Sequence, residues 1–337
     1  MKLSKMLVLV LGLLLVLPSA GFAEELKVGI VFDVGGLGDQ SFNDAAYVGL
    51  MRLHKELGAK IGYVESRTPS DYEANLAMLA REGYDVIWGI GFLLEDAIRK
   101  VAIQYPETKF GIIDSAYADE EYESSLKNVL GVLFKEHEGS FLMGVLAAET
   151  TESNIVGFVG GMQIPVIERF EAGFKAGVWS VNPAIDIITN YTGAFDDPAK
   201  GKAATDSMIR RKADVVFHAA GATGLGMIES AEEQGVWAIG VDSDQHHLAP
   251  DTILNSMIKR VDTGVFEGTK LMVSPEFKAH TMVLGLVETG VGLAPAESNN
   301  ASAKATAAAL AWEAKIAAGE FVVPESMSVV NEMFNKK

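Results

Sequence analysis

Short apolar runs alternate along the chain with longer stretches in which apolar positions recur every three or four residues. The first run, Leu26-Lys-Val-Gly-Ile-Val-Phe32, reads as a strand ending in a glycine-rich turn. Residues 43–57 then place Ala46, Leu50, Leu53 and Leu57 on one helical face. A strand follows at 61–64, and Pro69-Ser70-Asp71 opens a second helix with Leu76, Leu79 and Ala80 inward. A strand at 85–90, a helix at 94–104 closed by Tyr105-Pro106, and a strand at 109–114 complete the set. The order is repeated from Ile155 to Asp242, after which the pattern predicts a strand at 253–258, a helix at 261–272 and an alanine-rich helix at 301–318. Apolar strands alternating with helices of 10 to 15 residues predict βαβ units, hence an α/β fold with parallel sheets.

The two sets match each other at a nearly constant offset of 128 residues. Val28-Gly-Ile-Val31 recurs as Val156-Gly-Phe-Val159, Tyr63 as Tyr191, Asp114 as Asp242, and Phe42 to Gly49 as Phe170 to Gly177. Asp85-Val-Ile-Trp-Gly-Ile-Gly91 recurs, slightly shifted, as Asp214-Val-Val-Phe-His-Ala-Ala-Gly221. A common order at a common offset predicts a duplication and two Rossmann-like lobes, as does a length of 337 residues, beyond the usual size of a single core. The tail should cross back and complete both lobes. The expected division is residues 24–135 with about 246–280 in lobe 1, and 136–245 with about 281–337 in lobe 2.

The chain opens with Lys2 and Lys5, an apolar run from Met6 to Leu17, and Gly21 and Ala23 before Glu24-Glu25. That is the pattern of a signal peptide, residues 1–23, cut after Ala23, and the run is too short for a membrane anchor. The 45 acids against 28 bases give a net charge of −17, which opposes nucleic-acid binding, since phosphate backbones are held mainly by Lys and Arg. The absence of cysteine removes thiolate nucleophiles, zinc–thiolate sites, iron–sulfur clusters and disulfides.

In parallel α/β sheets ligands bind beyond the C-terminal ends of the strands. There the chain places Asp33 and the loop running to Phe42 and Asn43, then Gly91-Phe92, Asp114, Phe195, Gly221, Asp242 and Lys259. Each alone also fits an ordinary structural role, as a helix cap at Asp33 or Asn43, core at Phe42 and Phe195, turn closure at Asp242, or a solvated strand end at Lys259. Together, acids, an amide, a lysine and two loop aromatics on facing strand ends suggest a polar, ring-bearing ligand held between lobes. Enzymatic readings find little support. Gly35-Gly-Leu-Gly38 lacks dinucleotide-loop spacing, no phosphate-binding loop or nucleophile elbow occurs, and Asp196-Asp197 before Pro198 reads as a helix cap. The adjacent His246 and His247 are poorly placed to share a metal. No catalytic residue, metal or cofactor is expected.

The chain resembles the basic membrane protein family of ABC-transporter substrate-binding proteins, of the purine nucleoside receptor type. The resemblance rests on Gly-Asp-Gln-Ser-Phe42-Asn43, Phe134-Lys-Glu-His-Glu-Gly-Ser-Phe141, Val156-Gly-Phe-Val-Gly-Gly-Met162, Phe170-Glu-Ala-Gly173, Phe195-Asp-Asp-Pro-Ala-Lys-Gly201, Ala220-Gly-Ala-Thr-Gly224, Gly240-Val-Asp-Ser-Asp-Gln245 and Ser256-Met-Ile-Lys-Arg260. It implies the type I periplasmic-binding-protein fold, two lobes joined by three hinge crossovers. It further implies a purine nucleoside (guanosine, adenosine or inosine) sandwiched by Phe42 and Phe195. Asn43 and Asp114 would then read the base edge, and Asp242 and Lys259 would clamp the ribose beside Gly221. Asp33 is a further contact, with Phe92 a candidate wall. An ABC permease with a separate ATPase is the implied partner. Many relatives are tethered through a lipidated cysteine, and this chain has none, so an untethered periplasmic monomer is expected. The alternative within the same scaffold is another small polar ligand, such as a free nucleobase or a sugar. A transcriptional regulator is opposed by the signal peptide and by the lack of a basic reading head.

Overall fold

The structure is a computed structural model that describes residues 25–117 and 125–336, so the signal peptide predicted at 1–23 falls outside it. The first half builds β1 (Lys27–Phe32), α1 (Phe42–Leu57), β2 (Lys60–Glu65), α2 (Tyr72–Arg81), β3 (Val86–Ile90), α3 (Glu95–Gln104), β4 (Lys109–Ile113) and β5 (Val129–Phe134). Then α4 (Glu136–Thr150) leads into β6 (Ile155–Gly160), α5 (Pro165–Val181), β7 (Asp186–Tyr191), α6 (Pro198–Arg210), β8 (Val215–Ala219), α7 (Thr223–Gln234), β9 (Trp237–Asp242) and β10 (Ile253–Lys259). The tail adds α8 (Val261–Met272), β11 (His280–Leu284), β12 (Val291–Leu293), α9 (Ala303–Ala317) and α10 (Met327–Met333).

Two six-stranded sheets result, in the orders β11-β5-β4-β3-β1-β2 and β12-β10-β9-β8-β6-β7. Five strands of one order map onto five of the other when each number is shifted by five, and β11 and β12 take matching edge places, so the repeat seen in the sequence is a repeat of topology. Every pairing is parallel except that of β12 with β10. Parallel strands covered on both faces are largely apolar, and β3 and β8 are buried along their whole length, His218 of β8 included.

The two halves exchange a helix. After β5 the chain leaves the first sheet at Lys135, and α4 packs on α5 and against β10 and β12 of the second. After β10 it returns at Arg260, and α8 packs on α1 and the first sheet, where the Trp88 indole donates to Thr269 Oγ1 at 2.9 Å. It crosses a third time between β11 and β12. Both exchanged contacts need a glycine on the receiving helix. A Cβ at Gly49 would lie 2.6 Å from the Asp262 carbonyl, and one at Gly177, 128 residues on, would strike the Phe141 carbonyl.

This topology is the two-lobe α/β architecture with three crossovers, but the expected division of the tail does not match it. β10, expected in lobe 1, belongs to the second sheet, paired with β9, while β11 belongs to the first, paired with β5. The reason is the duplication itself: β10 is the counterpart of β5, so each half supplies its own five strands, and the return begins only at Arg260. Sequence periodicity also passes over β5, α4, β11 and β12.

Candidate functional site

The carboxyl ends of both sheets border one cleft, whose empty space, open solvent included, is about 580 Å³. Every residue singled out from the sequence lines it. Asp33, Phe42, Asn43, Phe92 and Asp114 come from the first lobe, and Phe195, Gly221, Asp242 and Lys259 from the second. Most of the surrounding wall is apolar, with Ile164, Val166, Ile167 and Phe170 at the start of α5.

The local sequence fixes the corner at the start of α1. Asp39 accepts from the backbone N–H of Ser41, Asn43 and Asp44 at 2.9, 2.8 and 3.1 Å, satisfying donors that a helix N-terminus leaves free. The capping role considered for Asp33 or Asn43 thus falls to Asp39. Asn43 instead donates from Nδ2 to Asp33 Oδ1 at 3.0 Å and to Asp39 Oδ2 at 3.3 Å. Across the cleft Asp197 caps α6 by accepting from Lys200 N at 3.2 Å, as expected from its place before Pro198.

Asp114 and Asp242 close β4 and β9 in the left-handed region, at φ 66° and 63°. That conformation is costly for a residue with a Cβ, and it recurs at matching positions of the two halves. Each carboxylate meets a side chain of the other lobe. Lys259 Nζ lies 2.7 Å from both Asp114 oxygens, and Ser41 Oγ donates to Asp242 Oδ2 at 2.5 Å. A third bridge runs from Gln245 Nε2 to the Gln40 carbonyl at 3.1 Å. The structure therefore pairs Lys259 with Asp114 and Asn43 with Asp33, whereas the resemblance couples Lys259 with Asp242 and Asn43 with Asp114.

Behind Lys259 sits a second counter-charge. Glu136, fully buried as the first residue of α4, is 3.4 Å from the ammonium and accepts from Arg169 Nε at 2.8 Å. The rings of Phe42, Phe134 and Phe170 stand 5.0, 5.1 and 5.5 Å from Nζ, close enough for cation–π attraction. Among the described residues Lys259 is the sole base lining the cleft, and its charge is already matched by carboxylates. A phosphate would find no free cation among them.

Burial dominates the acids. It pushes Asp33 up to about 6, against the bonds from Asn43 and Gly35, and Asp242 up to about 7, against Lys259 and Ser41. Asp39 and Asp114 are raised for the same first reason, the latter opposed by the Lys259 ammonium. For Glu136 burial is outweighed by Lys259 and Arg169, which hold its carboxyl below the ordinary range. Lys259 is raised despite burial, because Asp114, Glu136 and Asp242 surround it. Beneath the cleft the buried His218 is pushed down to about 4 by burial, with Nε2 2.9 Å from Gln245 Oε1. Among the described residues no cluster of three or more His, Cys, Asp or Glu is arranged to hold a metal ion. The site can thus bind a neutral ligand with hydrogen-bond donors and stacking faces.

Asp39, Ser41, Glu136, Arg169 and Phe170 are site residues that the sequence alone does not single out. Phe170 carries a signal that could have found it, because it is the repeat counterpart of Phe42. Glu136 and Arg169 carry none, since they read as ordinary helix-surface charges until the exchange of α4 brings them under Lys259.

Residues 26–327 match the family described as ABC transporter substrate-binding protein PnrA-like. The ABC transporter nucleoside-binding protein BmpA of Lactococcus lactis is 37% identical over 307 residues, 83% of this chain and 86% of that protein. An uncharacterized lipoprotein of Pyrococcus abyssi is 36% identical over 307 residues, 84% of this chain and 75% of its own. Among solved structures, an ABC transporter solute-binding protein from Aeropyrum pernix superposes with a TM-score of 0.82 at 31% identity, covering 92% of this chain and 96% of the other.

Proposed function

The chain belongs to the PnrA-like family of ABC-transporter substrate-binding proteins, and from that membership we propose that it binds a purine nucleoside in the interlobe cleft and delivers it to a membrane permease. Such proteins are extracytoplasmic carriers rather than enzymes, serving a permease with a separate ATPase. Among the described residues no helix is long and apolar enough to cross a membrane. The observation that carries the reading is the cleft wall: Phe42 from one lobe and Phe195 from the other, with carboxylates and one neutralised ammonium around them.

In this reading the two rings stack on the purine faces, which is worth about 1–3 kcal/mol per base and tolerates different purines. Asn43 with the neighbouring acids reads the base edge. Asp242 accepts from the ribose hydroxyls beside Gly221, and Lys259 stands next to them. We place the protein in the periplasm as an untethered monomer, exported by a signal peptide removed after Ala23. The relative from Pyrococcus abyssi is described as a lipoprotein, whereas the sequence here contains no cysteine.

Calorimetry with guanosine, inosine, adenosine, uridine and ribose tests the reading. Purine nucleosides should bind, ribose should not, and Phe42→Ala or Phe195→Ala should weaken all purines together by about 10- to 100-fold. Asp242→Ala should weaken nucleosides more than free bases. Equal binding of ribose and guanosine would sink the proposal.

A further inference from the structure

Resting on the reading of the cleft as a purine nucleoside site, we propose that the free acceptors of Asn43 and Asp33 select a 2-amino-6-oxopurine over a 6-aminopurine.

The polarity of the corner follows from which atoms are already used. Asn43 is 2% exposed, and its Nδ2 is spent on Asp33 and Asp39. Turning the amide over would set its oxygen against two carboxylates, so the orientation is fixed by chemistry. Asp39 cannot move aside to release it, because both its oxygens are taken by the backbone N–H groups that start α1. What Asn43 leaves over is Oδ1, a buried acceptor without a partner in a residue that lines the cleft. Asp33 is similarly half used. Its Oδ1 accepts from Asn43 Nδ2 and from Gly35 N at 2.9 Å. Its Oδ2 accepts no hydrogen bond among the described residues and lies toward Gly91, 3.2 Å from where a Cβ there would stand. Two free acceptors are therefore left in this corner of the site, where the Tyr72 hydroxyl, which accepts from Val34 N at 3.3 Å, also faces Asp33.

Such a corner reads donors. A 2-amino-6-oxopurine offers adjacent N1–H and N2–H groups, whereas a 6-aminopurine offers an N–H next to the bare N1 lone pair. Seating the latter opposes two buried acceptors, and a mismatch of that kind, which leaves buried polar groups unpaired, weakens binding by about 10- to 100-fold. A base with N1–H but no 2-amino group falls between.

Protonation supplies the internal check. Burial raises the Asp33 carboxyl to about 6, with Asp39 in its own loop and Asp114 after β4 adding to the rise, and the Tyr72 hydroxyl of α2 also faces it. Once protonated, Asp33 becomes a donor and can satisfy a bare N1, so acid should narrow the preference.

The test is calorimetry of guanosine, inosine and adenosine at pH 5 and pH 8 on the wild-type protein and on Asp33→Asn. At pH 8 the wild type should bind guanosine about 10- to 100-fold more tightly than adenosine, with inosine between, and the ratio should shrink several-fold at pH 5. Asp33→Asn, whose amide presents a donor where Oδ2 stood, should bring the ratio to one or below at both pH values while stacking keeps all three bound; a purely structural role for Asp33 would weaken all three alike. The wild-type pH series stands by itself should the variant fold poorly. Adenosine binding as tightly as guanosine at pH 8, or a ratio unmoved in Asp33→Asn, overturns the inference and leaves the nucleoside reading intact. Absence of any purine binding at either pH overturns both.

Discussion

Asp114 and Asp242 hold equivalent places in the two halves, at the ends of β4 and β9 and with the same left-handed backbone, yet they meet opposite kinds of partner. Asp114 is answered by an ammonium that Glu136 also supports, Asp242 by a serine hydroxyl. The duplication supplied the frame, a carboxylate at each rim, and divergence decided what the facing lobe offers it. A charged partner arrives by a crossover, since Lys259 is the last residue before the chain returns at Arg260. A neutral one arrives on the loop before α1. The first rim is thus a buried ion cluster tied to the hinge, and the second a hydrogen bond to an acid that burial raises to about 7.

Breaking the charged rim should have the largest effect. Lys259→Met leaves Asp114 and Glu136 buried without their shared cation, and urea unfolding of the ligand-free protein should show a loss of about 3–5 kcal/mol. A loss below about 1 kcal/mol would mean that the two rims are energetically alike. Next comes the acid of the other rim. Asp242 rises from its ordinary 3.8 to about 7 on folding, so the folded state favours its neutral form. The stability it contributes is whole below about pH 4 and is lost as pH climbs to about 7. Asp242→Asn should remove that part of the decline, on the order of 2–4 kcal/mol, from a series of urea midpoints between pH 4 and pH 8. Glu136→Gln keeps the shape but removes one counter-charge, and about 2 kcal/mol should go, with the loss fading as salt is raised only if Arg169 then turns to solvent. The smallest change is Ser41→Ala, about 1 kcal/mol by the same assay. It should also push the Asp242 titration upward, because the hydroxyl favours the charged form.

Much of this is legible in the sequence, and the limits have physical causes. Strands buried on both faces announce themselves as apolar runs, and the helix expected at 261–272 is α8 to the residue. Helix α4 hides because it is enclosed by α5, α9 and the second sheet, so residues as different as Glu136, Gly139 and Phe141 are all buried and no apolar stripe marks one face. β10 falls to the wrong sheet because strand order is a fact of three dimensions that a linear pattern does not carry. In the cleft, residues at strand ends can be found by position alone. Ser41 and Asp39 escape because short polar residues in a loop look alike until their hydrogen bonds are seen.

The exchange of α4 and α8 reaches beyond geometry into the order in which the molecule can be made. The first sheet lacks β11, and α1 lacks the helix that covers it, until residues 261–284 have been synthesised, by which time all five strands of the second half's own repeat exist. A ribosome-bound chain ending at Lys259 therefore holds two unfinished lobes rather than one finished and one pending. Folding one lobe at a time from the N-terminus, the common habit of chains with two domains, is closed to it. The contacts that finish the first lobe join residues as far apart as Leu130 and His280, or Arg52 and Asp262, 210 positions away, the kind that form late and slowly. The cleft, walled by both lobes, is therefore incomplete until the return segment that finishes the first lobe has been made.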